Sequence, residues 1–201
     1  MDQSVGQAAP ITLPVMVAGF IVVGVVAASI WWLWRRRAAA SVPARLRQAG
    51  DALLTGVLIP NADTGQIHLE YAVLTREGIL VVDVRDIAGH VFGSETMQDW
   101  TVLGRNQRFT FSNPLPPLYD RVAAVRRLIP EISVRGCVAF TARADFSKGF
   151  PPNVKMLDAL IGEIAAARNS ADGPPAELLQ AAWSRLREEA VATQVGRLLE
   201  R

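Results

Sequence analysis

Two carboxylates, Glu70 and Asp83, lie on consecutive apolar segments joined by Arg76-Glu77-Gly78. If the turn between them is the two-residue loop Arg76-Glu77, paired positions sum to 153. Glu70 then faces Asp83, and His68 faces Arg85. Directly opposite side chains stand about 5 Å apart on one face of a sheet. Two carboxylates that close repel each other unless a cation joins them. A divalent ion such as Mg2+, which prefers oxygen ligands, is the natural partner. Such an ion could activate water against a phosphodiester. The same residues also fit a plainer role, in which Asp83 and Arg85 form a solvated ion pair and Glu70 is exposed.

Other chemistry is sparse. His68 and His90 are the only histidines, and with the single Cys137 they cannot build a zinc centre. His68 reads as a rim residue, His90 as a surface residue in a glycine-flanked turn, and Cys137 as a small buried hydrophobe. Ser147-Lys148-Gly149 lacks the glycine-rich lead-in of a phosphate loop. Trp100 and Trp183 read as core anchors.

The elements that must position Glu70 and Asp83 follow from periodicity. Residues 38–54 predict a short helix, with Leu46, Ala49, Leu53 and Leu54 at helical spacing. A turn cluster follows from Pro60 to Gly65. Ile67, Leu69, Tyr71 and Val73 alternate as a strand, and Ile79 to Val84 is a second, continuously apolar strand closing a hairpin at Gly78. Ile87–Phe92 extends or kinks that strand, and Trp100–Leu103 and Arg108–Phe111 are further short strands. A helix opens at Asn113-Pro114 and runs to Ile129, where Pro130 stops it. Val134–Thr141 is a buried strand. Helices follow around Met156–Ile164 and from Ala176 to Leu199, separated by Asp172-Gly173-Pro174-Pro175. Successive strands without crossover helices exclude a repeated βαβ fold and predict one α/β domain with a central mixed sheet.

Composition sets the frame. Half of the 201 residues are apolar, and residues 11–34 carry no charge. Those 24 residues would span about 36 Å as a helix, enough for a bilayer core of about 30 Å. Trp31, Trp32 and Trp34 suit a headgroup layer, and Arg35, Arg36 and Arg37 predict a cytoplasmic carboxy-terminal side. The expectation is a single-pass inner (plasma) membrane protein. It has an outside tail (1–10), a transmembrane helix (11–34), a basic juxtamembrane segment and helix (35–55), a cytoplasmic domain (56–170) and a carboxy-terminal helix (171–201). Residues 11–37 would contact the lipid bilayer. Net charge is +2, yet five of the 21 basic residues fall between 35 and 50 and only one of the 19 acids precedes position 51. The remainder is therefore mildly acidic. A phosphate-binding face would have to be assembled from Arg105, Arg108, Arg121, Arg126 and Arg127.

The stretch from Gln66 to Phe146 resembles the nuclease-related domain (NERD) family, whose core is similar to that of restriction endonucleases. The likeness rests on Gln66-Ile67-His68-Leu69-Glu70-Tyr71, on Arg76-Glu77-Gly78-Ile79-Leu80-Val81-Val82-Asp83-Val84-Arg85, on Gly89-His90-Val91-Phe92-Gly93 and Trp100, on Asn113-Pro114-Leu115, and on Val134-Arg135-Gly136-Cys137-Val138-Ala139-Phe140. It implies a restriction-endonuclease-like α/β fold. Glu70 stands where the family has aspartate, Asp83 where it has glutamate, and Arg85 where it has lysine. These are the implied catalytic positions, with Glu70 and Asp83 as ligands of Mg2+ if the domain is active. Arginine is a poor base, because it stays protonated. Pro116-Pro117 replace a family glutamine, and Asp51 or Gln48 stands nearest to an expected glutamate. These departures imply a membrane-anchored nuclease-like fold used to bind nucleic acid or protein. The alternatives are a Mg2+-dependent nuclease using Glu70 and Asp83, or an anchored structural protein of the cell envelope.

Overall fold

A computed structural model describes residues 41–61, 65–105, 107–168 and 173–199, with side chains through residue 192. The first helix, α1 (Val42–Ala49), ends at Gly50, and the chain turns into β1 (Ala52–Asn61). Leu53 and Leu54, expected at the end of a helix, therefore lie in a strand. β2 (Gly65–Thr75) and β3 (Gly78–Arg85) form the expected hairpin. Gly78 has φ +136°, and a Cβ there would fall 2.1 Å from the Ser133 carbonyl oxygen, so only glycine fits this turn.

β1, β2 and β3 are antiparallel neighbours. β7 (Val134–Phe140) adds parallel to β3, and β9 (Val154–Met156) adds parallel to β7. The order β1-β2-β3-β7-β9 is a mixed sheet, as expected. β3 and β7 read as near-continuous apolar runs because both faces of the sheet are covered. On one face, α2 (Leu115–Leu128) and α4 (Ala176–Leu199) bury Leu118, Val125, Ala182 and Leu186 against Leu74, Ile79, Val81 and Val138. On the other, α1 and α3 (Leu157–Ala167) bury Leu46, Leu160 and Ile164 against Val73, Leu80, Val82 and Cys137. α2 lies close on β7 because Gly136 leaves room: a Cβ there would meet Val122 Cγ2 at 2.6 Å.

β9 covers only Val138–Phe140 of the β7 edge, so residues 134–137 have no strand partner on that side among the described residues. Arg126 reaches over from α2 and donates from Nε (3.2 Å) and Nη2 (2.8 Å) to the Val134 carbonyl. Arg135 pairs with Glu77, and Lys155 pairs with Glu163, along the same edge.

Residues 87–92, expected to extend or kink β3, instead lead into a separate sheet. The chain breaks after Arg85, and β4 (Gly89–Phe92) joins a second sheet with β5 (Asp99–Leu103), β6 (Arg108–Ser112) and β8 (Ala144–Asp145), in the order β6-β5-β4-β8. Trp100 joins the two sheets. Fully buried, it stacks on Phe140 of β7 at 6.2 Å between ring centroids and meets Phe111 and Phe146 edge-on. Residues 42–201 fall into one compact unit.

The membrane part of the expectation is also corrected. Among the described residues no helix is long and apolar enough to cross a membrane. The longest, α4, carries Glu177, Arg185, Arg187, Glu188 and Glu189, which hydrocarbon would not accept. The expected tail (1–10), transmembrane helix (11–34) and basic residues 35–40 lie outside the described residues. The single-pass topology, the inner-membrane location and the bilayer contact through residues 11–37 are not retained.

Candidate functional site

The β2–β3 ladder pairs Thr75 with Gly78 and continues to Tyr71 with Val82, so the pairs sum to 153 as a two-residue loop requires. The ladder ends there, and Glu70 and Asp83 are the next residue on each strand. Side chains alternate along a strand. Asp83 therefore shares the face of Ile79 and Val81, beneath α2. Glu70 joins it: its Oε2 accepts from the backbone N–H of Val84, the residue after Asp83, at 3.0 Å. On the other flank of β2, the ladder to β1 passes from Thr55–Tyr71 to Val57–Leu69, with Gly56 between them at φ +61°.

Asp83 is 1% exposed. Its Oδ2 accepts from Arg121 Nη1 at 2.8 Å and lies 3.9 Å from Arg85 Nη2. Its Oδ1 is buried and, among the described residues, has no hydrogen-bond partner. Arg121 also donates from Nε to the His68 carbonyl at 2.8 Å, which ties α2 to β2 beside the carboxylates. The His68 side chain is exposed at the rim.

Burial pushes the Asp83 carboxyl above the ordinary range, opposed by the positive charges of Arg121, Arg85 and His68. Glu70 is also raised, first by burial and further by the charge of Asp83, while the Val84 N–H, Arg85 and His68 pull it down. Burial thus disfavours charge on both carboxylates, and the arginines offset part of that cost at Asp83.

α2 is set in place by Asn113. This buried side chain donates to the carbonyls of Met97 (2.8 Å) and Glu95 (3.1 Å), and its Oδ1 accepts from the Leu115 N–H at the helix start (3.0 Å). Pro114, Pro116 and Pro117 fit the first turn, where no intrahelical N–H is needed. The Asn-Pro pair thus fixes the helix that delivers Arg121.

Glu70, Asp83 and Arg85, singled out from the sequence, are brought together. Arg121 was named from the sequence only as one of five arginines from which a phosphate-binding face could be assembled, not as a partner of Asp83. Its signal was available: Leu118, Arg121, Val122 and Val125 share one helical face, and a cation in that apolar stripe needs a buried partner. Arg126 likewise has a partner within the chain, the Val134 carbonyl at the open β7 edge. Among the described residues no group of three or more His, Cys, Asp and Glu side chains comes together as a metal centre. The donor set is two carboxylates, which suits Mg2+, an ion held by one or two carboxylates with water and substrate phosphate completing its shell. The cavity of about 920 Å³ lies elsewhere, along the open β7 edge between α2 and α3, lined by Val122, Arg135, Cys137 and Leu160 among others. Burial pushes the Cys137 thiol up to about 12.

The family described as the nuclease-related domain (NERD) matches residues 31–141, more than half of the chain, and the protein belongs to that family. No curated protein and no solved structure matches. The expectation of a membrane-anchored binding module is corrected: among the described residues no helix is long and apolar enough to cross a membrane, and what the chain carries is the nuclease-related domain.

Proposed function

We propose that this domain is a Mg2+-dependent phosphodiester hydrolase acting on nucleic acid, with Glu70 and Asp83 as the pair that holds the ion. The observation that carries the reading is Asp83 Oδ1, a buried carboxylate oxygen left without a partner beside a second carboxylate. A buried acceptor without a hydrogen bond is costly, and a hard cation is one group that would satisfy it. Bound there, Mg2+ would supply charge neutralisation and a water of lowered pKa.

The chain supplies the rest. Arg85, partly exposed, holds a fixed positive charge 3.9 Å from Asp83 and would steady a scissile phosphate. Arginine does not act as the base. Glu70 would hold the ion beside Asp83. Its bond to the Val84 N–H holds one oxygen in place.

The test is a cleavage assay of the full chain on DNA and RNA, with Mg2+ or Mn2+ and with chelator. Cleavage is expected to need the metal and to fall at least about 100-fold in Asp83→Asn, the scale of losing a principal electrostatic group. Equal cleavage by Asp83→Asn, or no metal-dependent cleavage of either polymer, overturns the reading.

A further inference from the structure

The cation already seated on Asp83 has a consequence for how the site would load. Glu70, Asp83, Arg85 and Arg121 bring two negative and two positive charges together, so the cluster is balanced as it stands. A divalent ion entering alone would share Asp83 with the Arg121 guanidinium, 2.8 Å from Oδ2, and would leave an excess of two positive charges. Like charges this close in a partly buried site repel strongly. A polynucleotide alone would find the Arg121 guanidinium already held on Asp83. Metal on Asp83 would free that guanidinium for a phosphate, and a phosphate on Arg121 would free Asp83 for metal.

Arg121 is built to resolve this. Asp83 has a side chain 2% exposed and cannot leave, whereas Arg121 is 20% exposed and reaches solvent. Its Nε bond to the His68 carbonyl fixes the base of the guanidinium while Nη1 makes the contact with Asp83. Rotation about that hinge would release Asp83 Oδ2 and present the guanidinium outward, where its planar donors match a phosphate.

We infer that Arg121 is a positioning residue that exchanges Asp83 for a backbone phosphate of the nucleic acid, so that metal and polynucleotide bind the site cooperatively. This rests on the reading of Glu70 and Asp83 as the ion-holding pair. Linkage makes the effect reciprocal: the factor by which nucleic acid tightens metal binding equals the factor by which metal tightens nucleic-acid binding.

The experiment measures Mn2+ binding to the full chain by the loss of the free-ion electron paramagnetic resonance signal. It is run with and without a 16-base-pair DNA duplex carrying phosphorothioate linkages, and Mn2+ bound by the duplex alone is subtracted. In the unmodified protein the duplex should tighten Mn2+ binding at least about fivefold, the lower end of ordinary coupling. In Arg121→Gln, Mn2+ should bind tightly without the duplex, and the duplex should add nothing. Arg121→Lys keeps the charge but cannot make both bonds at once, so it should bind Mn2+ more tightly than the unmodified protein without DNA. It also provides the test if the glutamine variant does not fold. Coupling that survives unchanged in Arg121→Gln, or Arg121→Lys indistinguishable from the unmodified protein, overturns the exchange while leaving the metal pair standing. Absence of Mn2+ binding that Asp83→Asn abolishes, in every variant, overturns the metal pair and the exchange together.

Discussion

Replacing Arg121 by methionine isolates the electrostatic cost of Asp83. The substitution keeps an unbranched side chain on the apolar stripe of α2 and removes the guanidinium 2.8 Å from Oδ2. Removing one partner of a fully buried pair costs about 3–5 kcal/mol, because the remaining charge is stranded. Here Arg85 still stands 3.9 Å from the same oxygen, and Arg121 is itself partly exposed, so the lower figure of about 2–3 kcal/mol applies at pH 8. The pH dependence tests the cause. Burial already raises the Asp83 carboxyl in the fold, and losing Arg121 raises it further. A folded-state carboxyl pKa above the unfolded value of about 3.9 means that the folded state binds the extra proton, so stability rises as pH falls through the folded pKa. The penalty relative to the unmodified protein is therefore greatest at pH 8 and shrinks toward pH 5. Urea unfolding of the full chain at both pH values measures it, with Arg121→Met/Asp83→Asn as the rescue, expected to recover all but about 1 kcal/mol of the loss. A deficit that is equal at both pH values, or one that the second substitution leaves untouched, would show that Arg121 contributes packing rather than charge.

Three further outcomes follow from the same geometry. Glu70→Gln keeps an acceptor for the Val84 N–H and removes a carboxylate raised by burial, so it should be at least as stable as the unmodified protein at pH 8. That advantage should vanish as pH falls through the raised pKa toward the ordinary value of about 4.3; a variant less stable at every pH refutes the assignment. Trp100→Ala should cost about 3–5 kcal/mol in urea unfolding, since the ring is fully buried between the two sheets; a cost under about 1 kcal/mol would mean that the sheets do not depend on it. Cys137, buried and titrating near 12, should resist a thiol reagent at pH 8 in the folded protein and react on addition of denaturant, followed by absorbance; rapid labelling of the folded chain would contradict its burial.

Much of this arrangement was legible because it depends on local pattern. Gly78 after Arg76-Glu77 set the hairpin register as far as Tyr71–Val82, and just beyond it the Glu70 carboxylate meets the Val84 N–H beside Asp83. The α2 stripe and its Asn-Pro start were equally plain. β1 was not, because Gly50, Gly56 and Pro60 break its alternation, and its pairing with β2 is a tertiary choice that spacing does not encode. The second sheet was hidden for a related reason. Its strands are four or five residues long, and their separation from the main sheet depends on the break after Arg85 and on the long-range packing of Trp100 against Phe140. The Arg121–Asp83 pair was missed because charge was counted by totals, whereas the position of Arg121 in an apolar stripe carried the information.

The half-covered β7 edge bears on solubility. Backbone donors and acceptors left open on a strand invite pairing with another chain. In this domain the exposed stretch is guarded by cations: Arg126 occupies the Val134 carbonyl, and Arg135 and Lys155 flank the opening. Neutralising those three side chains would leave the fold's core intact and remove its protection against strand-by-strand self-association. Self-association through this edge would thus be governed by a few residues remote from the carboxylates.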